Sequence, residues 1–199
     1  SGGSSGSPVI DIEGRVVALN AGGSTGAASS FYLPLTRVVR ALEYIRAGRP
    51  VPRGTLQVVL RYTPFDELRR LGLDPATEAA ARRAGPRRTG MLVITEVQPG
   101  SAADGRLAAG DILVGLDGRL PGDFDAVAEV LDGRVGEEVT VEVERGGRRV
   151  GERLPVQDLH ALMPSAYLEL GDSVLHDLSW QMARHMNVPV RGVYVANPG

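Results

Sequence analysis

Apolar and polar positions alternate along most of the chain in short runs of β period, interrupted in a few places by the spacing of an amphipathic helix. Two β-rich runs, Val9–Ile12 and Arg15–Asn20, are joined at Glu13-Gly14, the pattern of a hairpin. Leu35, Val38, Val39, Leu42 and Ile45 then fall on one face at helical spacing, with Pro34 before them and Gly48 after. This predicts a helix over 35–47 packed on a barrel or on the next module. Arg49-Pro50-Val51-Pro52 reads as a stiff linker, because each proline biases its neighbour to extended geometry.

From Arg53 to about Val156 strands and helices alternate as in a compact α+β domain. Leu56–Tyr62 is β-rich, Asp66 is placed to cap a short helix Glu67–Leu71, and Pro75–Arg83 is Ala-rich and helical in character. Gly90 opens a buried-looking strand, Met91–Val97, that Pro99-Gly100 stops. A helix from Asp123 to Leu131 follows, then a strand of period two over Val139–Arg145 that Gly146-Gly147 turns back into a partner. Beyond a second linker, Leu159–Pro164, the chain repeats itself. Ser179–Val188 is similar to Phe65–Leu73, and Gly192–Gly199 to Gly90–Gly100, which suggests a tandem module. About 35 residues cannot bury a core of their own, so residues 165–199 are expected either to dock on the first module or to be poorly ordered.

Composition narrows the chemistry. The 199 residues are 43% hydrophobic and no apolar run is long enough to span a bilayer. With no start methionine and no signal-peptide pattern, the chain reads as an internal cut. No cysteine and only three histidines argue against disulfides, thiolate metal sites and a zinc centre, and no cofactor is expected. The formal charge of −2 leaves no global basic field for nucleic acid. Arg82, Arg83, Arg87 and Arg88 lack interleaved aromatics and read as a solvated loop.

The candidate chemistry lies at the start, in Ser1-Gly2-Gly3-Ser4-Ser5-Gly6-Ser7-Pro8. Such a stretch is either a flexible linker or the tight turn that presents a serine nucleophile beside an oxyanion hole. A linker gives no reason for the hairpin that follows it.

These residues, the hairpin, Asn20-Ala21-Gly22-Gly23, Ser30-Phe31-Tyr32-Leu33-Pro34 and the helix resemble the last part of the protease domain of HtrA-family serine proteases. The likeness is closest to the branch with divergent PDZ modules, known in fungi as pro-apoptotic nuclear HtrA-like proteases. The order of elements after residue 50, with Gly110-Asp111-Ile112-Leu113 as its most specific signature, resembles a circularly permuted PDZ domain of the HtrA type. The implied fold is mixed β and α+β: a C-terminal remnant of a chymotrypsin-like β-barrel (1–48), an HtrA-type PDZ domain (49–158) and a partial second PDZ-like module (165–199).

The resemblance implies Ser5 as nucleophile, the N–H groups of Gly3 and Ser5 as oxyanion donors, and Ser29, Ser30 and Phe31 as part of the substrate-pairing strand. In the PDZ module it implies a carboxylate-binding loop at Arg53-Gly54-Thr55-Leu56-Gln57-Val58, with Gln57 where a small residue is usual. Phe124, Val127 and Leu131 recur at i, i+3 and i+7 on the facing helix, and one or two of them could line a side-chain pocket while the rest pack in the core. Expected partners are unfolded or C-terminal peptide segments of proteins, in a role of proteolysis and protein quality control. Relatives form trimers through their protease domains. Localisation stays open between the periplasm of bacterial relatives and the nucleus of fungal ones. In the chymotrypsin-like order the base precedes the serine, whereas His160, His176 and His185 all follow Ser5, so this chain alone is expected to be hydrolytically inert. The alternative from another class is a non-catalytic PDZ scaffold whose Gly/Ser start is incidental.

Overall fold

The structure, a computed structural model, describes residues 4–24 and 29–198. The chain divides into two compact units, Ser1–Val51 and Pro52–Gly199.

In the first unit β1 (Pro8–Ile10), β2 (Val16–Ser24) and β3 (Ser29–Pro34) form an antiparallel sheet in that order, and α1 (Leu35–Arg46) follows. The hairpin turn is built by one carboxylate: Asp11 accepts from the N–H groups of Glu13 (3.0 Å) and Arg15 (2.9 Å) and from the Arg15 guanidinium (2.8 Å). Those Arg15 bonds hold the Asp11 carboxyl below its ordinary range. The helical periodicity forms the expected helix, yet its apolar stripe is unburied within this unit: Val39, Leu42 and Ile45 are exposed, as are Phe31 and Tyr32 on β3. Ala18 is the buried apolar residue among those described here. A sheet and helix of about fifty residues are too small to close a core.

The second unit is organised on a five-stranded antiparallel sheet of β5 (Val58–Pro64), β6 (Gly90–Val97), β7 (Ile112–Leu116), β8 (Glu138–Arg145) and β9 (Arg148–Pro155), in that spatial order. Between β5 and β6 lie α2 (Phe65–Arg70) and α3 (Pro75–Ala84), and between β7 and β8 lies α4 (Phe124–Asp132). A two-residue strand before the sheet, β4 (Gly54–Thr55), pairs with β10 (Gln157–Asp158) after it. The uninterrupted apolar run of β6 follows from burial on both faces. Leu92 and Ile94 join Leu113, Leu116, Val139, Val141 and Leu154 in one core, and Met91 and Val93 join Phe65, Leu68 and Leu73 in the other.

The Gly-Asp-Ile-Leu signature has a structural reason. Gly110 sits at φ +93°, and its N–H reaches Ile94 O (2.8 Å) while Ile94 N–H reaches Asp111 O (2.8 Å). The Asp111 side chain, fully buried, takes two 2.7 Å bonds from Arg145 and one of 2.8 Å from the Ala108 N–H. One carboxylate thereby locks the turn before β7 to the end of β8.

One sequence expectation changes here. Asp66 does not cap a helix: α2 begins one residue before it, at Phe65 after Pro64, and Asp66 lies in the first turn, where its charge suits the helix dipole. The side-chain cap is found on the next helix, where Asp74 accepts from the N–H groups of Ala76 and Thr77 ahead of Pro75. Glu78 on α3 gathers Arg69 (2.6 Å) and Arg82 (2.9 Å), which hold its carboxyl below the ordinary value. A depressed carboxyl pKa stabilises the fold above its unfolded value, and that stability disappears as pH falls through the depressed one. Glu78→Gln is therefore expected to lower the urea midpoint at neutral pH and to converge with the parent protein in acid.

After a 3-10 turn (Leu159–Leu162) a second antiparallel sheet forms from β11 (Tyr167–Leu170), β12 (Ser173–Asp177) and β13 (Val193–Asn197), with α5 (Trp180–Met186) between the last two. The repeat seen in the sequence is a repeat of geometry. α2 ends with Leu73 N–H on Leu68 O and Gly72 N–H on Arg69 O; α5 ends with Val188 N–H on Ala183 O and Asn187 N–H on Arg184 O. Gly72 and Asn187, at φ +92° and +53°, occupy the left-handed position that this helix stop requires. The segment docks rather than standing alone: Arg184 pairs with Glu96 at 2.7 Å, Gln98 Nε2 donates to Val188 O, and Pro189 lies against Gly100.

Candidate functional site

The serine turn is held by Asn20 on β2. Ser7 N–H (3.2 Å) and Ser7 Oγ (2.7 Å) donate to Ser4 O, closing a turn over Ser5 and Gly6. Gly6 N–H donates to Asn20 O (2.7 Å), Asn20 N–H to Ser7 O (2.9 Å), and Asn20 Nδ2 to Ser4 O (3.1 Å). Gly6 stands at φ +84°, the conformation that the third residue of a type II turn needs. Ser5 is thus presented, exposed, at the tip of a turn whose bonds run through its neighbours. Gly3 lies outside the described residues. Ser29, Ser30 and Phe31 open β3, an edge strand of this sheet, with Phe31 exposed. Residues 1–51 contain no histidine, and Asp11 is engaged by Arg15. His160 lies in the 3-10 turn, His176 on β12 and His185 on α5, all in the second unit.

The second candidate site is a groove between β5 and α4. β5 is the first strand of its sheet, paired with β6 on one side only. Beneath it an apolar cavity of about 220 Å³ is lined by Gly54, Thr55, Leu56, Val58, Leu60, Phe124 and Val127, and floored by Leu113 and Leu131. Val127 and Leu131 double as core residues, while Phe124 is 47% exposed at the rim. The loop and helix positions singled out in the sequence converge on this cavity, except Arg53 and Gln57.

Gln57 does not line it. Its φ of +56° turns the chain back on itself between Leu56 and Val58, and its side chain, only 5% exposed, leaves the cavity and donates from Nε2 to Gln157 Oε1. The loop's N–H groups are partly engaged: Gly54 donates to Asp132 Oδ1 (2.9 Å) and Gln57 to Thr55 Oγ1 (2.9 Å). Gly54 lies so close to the end of α4 that a Cβ there would fall 2.0 Å from Leu131 O. The sequence reading also passed over the β11–β12 hairpin. Its signal was present in the two-residue Gly171-Asp172 connection between Leu170 and Ser173, with Gly171 at φ +62°.

An edge strand, a facing helix and an apolar pocket beneath them define a PDZ-type module. Residues 93–145 match the PDZ domain family and residues 161–199 the PDZ-like domain family. The chain is 48% identical over 98% of its length to the pro-apoptotic serine protease nma111 of Neosartorya fischeri. It is 46% identical over its full length to protease Do-like 7 of Arabidopsis thaliana. Among solved structures, HtrA-type protease AlgW with decapeptide aligns at TM-score 0.48 and 20% identity, over 76% of this chain and 44% of that one. The chain carries two PDZ-type matches and is similar to PDZ-bearing serine proteases, of whose curated sequences it spans 19% of the length.

Proposed function

We propose that the second unit binds extended peptide segments in the β5–α4 groove, and that the first unit supplies the nucleophile loop of an HtrA-type endopeptidase, with Ser5 attacking the scissile carbonyl. The observation that carries this reading is the apolar cavity beneath the free edge of β5. A peptide added along β5 gains main-chain hydrogen bonds from the strand edge, and every second side chain points toward the pocket. The pocket suits one aliphatic side chain at or near the end of the bound segment.

Because two loop N–H groups are already engaged, affinity rests more on the strand edge and pocket than on a grip on the terminal carboxylate. Amidating the C-terminus of a peptide ligand is expected to weaken binding by less than about tenfold, as befits losing one exposed charge-assisted contact. Cleavage belongs to the protein that also carries the base and its carboxylate partner, and so does any homo-oligomer formed through the protease domain. Within 1–48, 49–158 and 165–199 we assign the nucleophile segment, the peptide-binding PDZ domain and the partial second PDZ-like module.

Fluorescence anisotropy with labelled peptides ending in Val or Leu tests the groove. Phe124→Ala removes an exposed aromatic rim, so binding should weaken by about tenfold, as expected for losing one side chain's worth of apolar contact, with an unchanged urea midpoint. Binding unaffected by Phe124→Ala would place the ligand elsewhere.

A further inference from the structure

We propose that Gln57 is a positioning residue through which the second module sets the shape of the peptide groove, so that docking of residues 160–198 and occupation of the groove favour each other. The inference rests on the groove reading above and goes beyond it by naming what regulates that groove.

Gln57 separates Leu56 from Val58, both of which line the groove, and it holds a left-handed backbone that glycine would adopt without strain. What keeps it there are bonds to Gln98, Thr55 and Gln157 within residues 49–158, the first of which is tied to the second module. Its carbonyl accepts from Gln98 N–H (3.0 Å), and Gln98 Nε2 in turn donates to Val188 O, immediately after α5. Its side chain is buried between the two modules, lining a cleft of about 700 Å³ with Trp180 and Arg184 and a second of about 270 Å³ with Leu162 and Pro189. One residue therefore shapes the floor of the peptide loop and forms part of the surface on which the second module rests.

The docked contact is polar and modest. Its ion pair, Arg184 to Glu96, is about half exposed on both sides. Gln57 Oε1 and Trp180 Nε1 are buried without a partner among the described residues. An interface so incompletely paired opens at modest cost, and each opening uncovers Gln57 and removes the Val188 anchor from Gln98, whose N–H holds the Gln57 carbonyl, so that the backbone can relax toward negative φ. Leu56 and Val58 then lose the alignment that the groove needs. Coupling between two equilibria is reciprocal, so a peptide that needs the aligned loop must also favour docking.

The test uses the whole chain. Arg184→Glu sets two carboxylates against each other and undocks the second module. It is expected to weaken peptide binding by about fivefold, the lower end of ordinary coupling between sites, though no substituted atom touches the groove. In a Gln57→Gly background, where the left-handed turn needs no support, the same change should alter binding by less than about twofold. Saturating peptide should protect residues 165–198 from limited proteolysis by the same factor. Hydrogen exchange on the unliganded chain separates this inference from the groove reading, since Arg184→Glu should speed exchange at Leu56 to Val59 even if every peptide tried fails to bind. Unchanged exchange there in an undocked variant, or equal Kd in the docked and undocked proteins, overturns the coupling. Failure of all peptides with faster exchange overturns the groove reading alone.

Discussion

Ser5→Ala, made in a protein that carries the complete protease domain, is expected to lower peptide-bond cleavage by about 10⁴- to 10⁶-fold while leaving peptide affinity in the groove unchanged. The size follows from the chemistry: a serine protease stripped of its nucleophile keeps only what oxyanion donors and substrate binding provide. That the fold should survive follows from this turn. Its hydrogen bonds run from Ser7 and Asn20 to Ser4 and from Gly6 to Asn20, and the Ser5 hydroxyl is not one of the links. Asn20→Ala is the contrasting variant, because it removes the amide that anchors Ser4 O and Ser4 Oγ and so loosens the loop without touching the nucleophile. It should reduce cleavage by about one to two orders of magnitude, since small misplacements of catalytic groups are costly. Near-normal turnover by Ser5→Ala, measured on an unfolded protein substrate, would mean that the nucleophile lies elsewhere.

The parts of this molecule that were legible in the sequence are those fixed by local chemistry. The strand over Gly90–Val97 announced itself because both its faces are buried, leaving no polar position between Met91 and Ile94 to break the run. Asp123, from which the sequence starts this helix, is the residue whose side chain caps α4 in space. The second module was recognisable because Gly72 and Asn187 mark the same helix stop at equivalent places.

What stayed hidden depends on partners far along the chain. Nothing near Gln57 reveals that its side chain would turn away from the peptide loop toward Gln157, a hundred residues on. The engagement of Gly54 by Asp132 spans 78 residues, and the local reading of Gly54 as an open N–H donor could not anticipate it. Asp66 misled for a simpler reason. Two residues on either side of Phe65, Pro64 and Asp66, both suit a helix start, and the proline's fixed φ decided the boundary.

Gly54→Ala should be among the most damaging single-methyl additions available in the second unit. The new Cβ would stand 2.0 Å from Leu131 O, 2.3 Å from the Leu131 carbonyl carbon and 2.9 Å from Val156 Cγ1. Two of those atoms are backbone at the end of α4, so rotating a side chain does not relieve the clash. Moving β4 outward does not relieve it cheaply either, because Gly54 N–H is bonded to the carboxylate of Asp132, itself nearly buried, and the strand is paired to β10. Overpacking against fixed backbone, with loss of a charge-assisted hydrogen bond, is expected to cost about 3 kcal/mol or more. With an ordinary urea dependence this lowers the midpoint by about 1–2 M. Gly151 on β9 supplies the control, since a Cβ there meets nothing within 4 Å, and Gly151→Ala should leave the midpoint within a few tenths of a molar unit. The same displacement spreads the end of α4 from the peptide loop, so Gly54→Ala should also lose peptide binding at temperatures where it is still folded. If Gly54→Ala and Gly151→Ala unfold at the same urea concentration, the close approach of β4 to α4 is wrong, and with it the closed end of the groove.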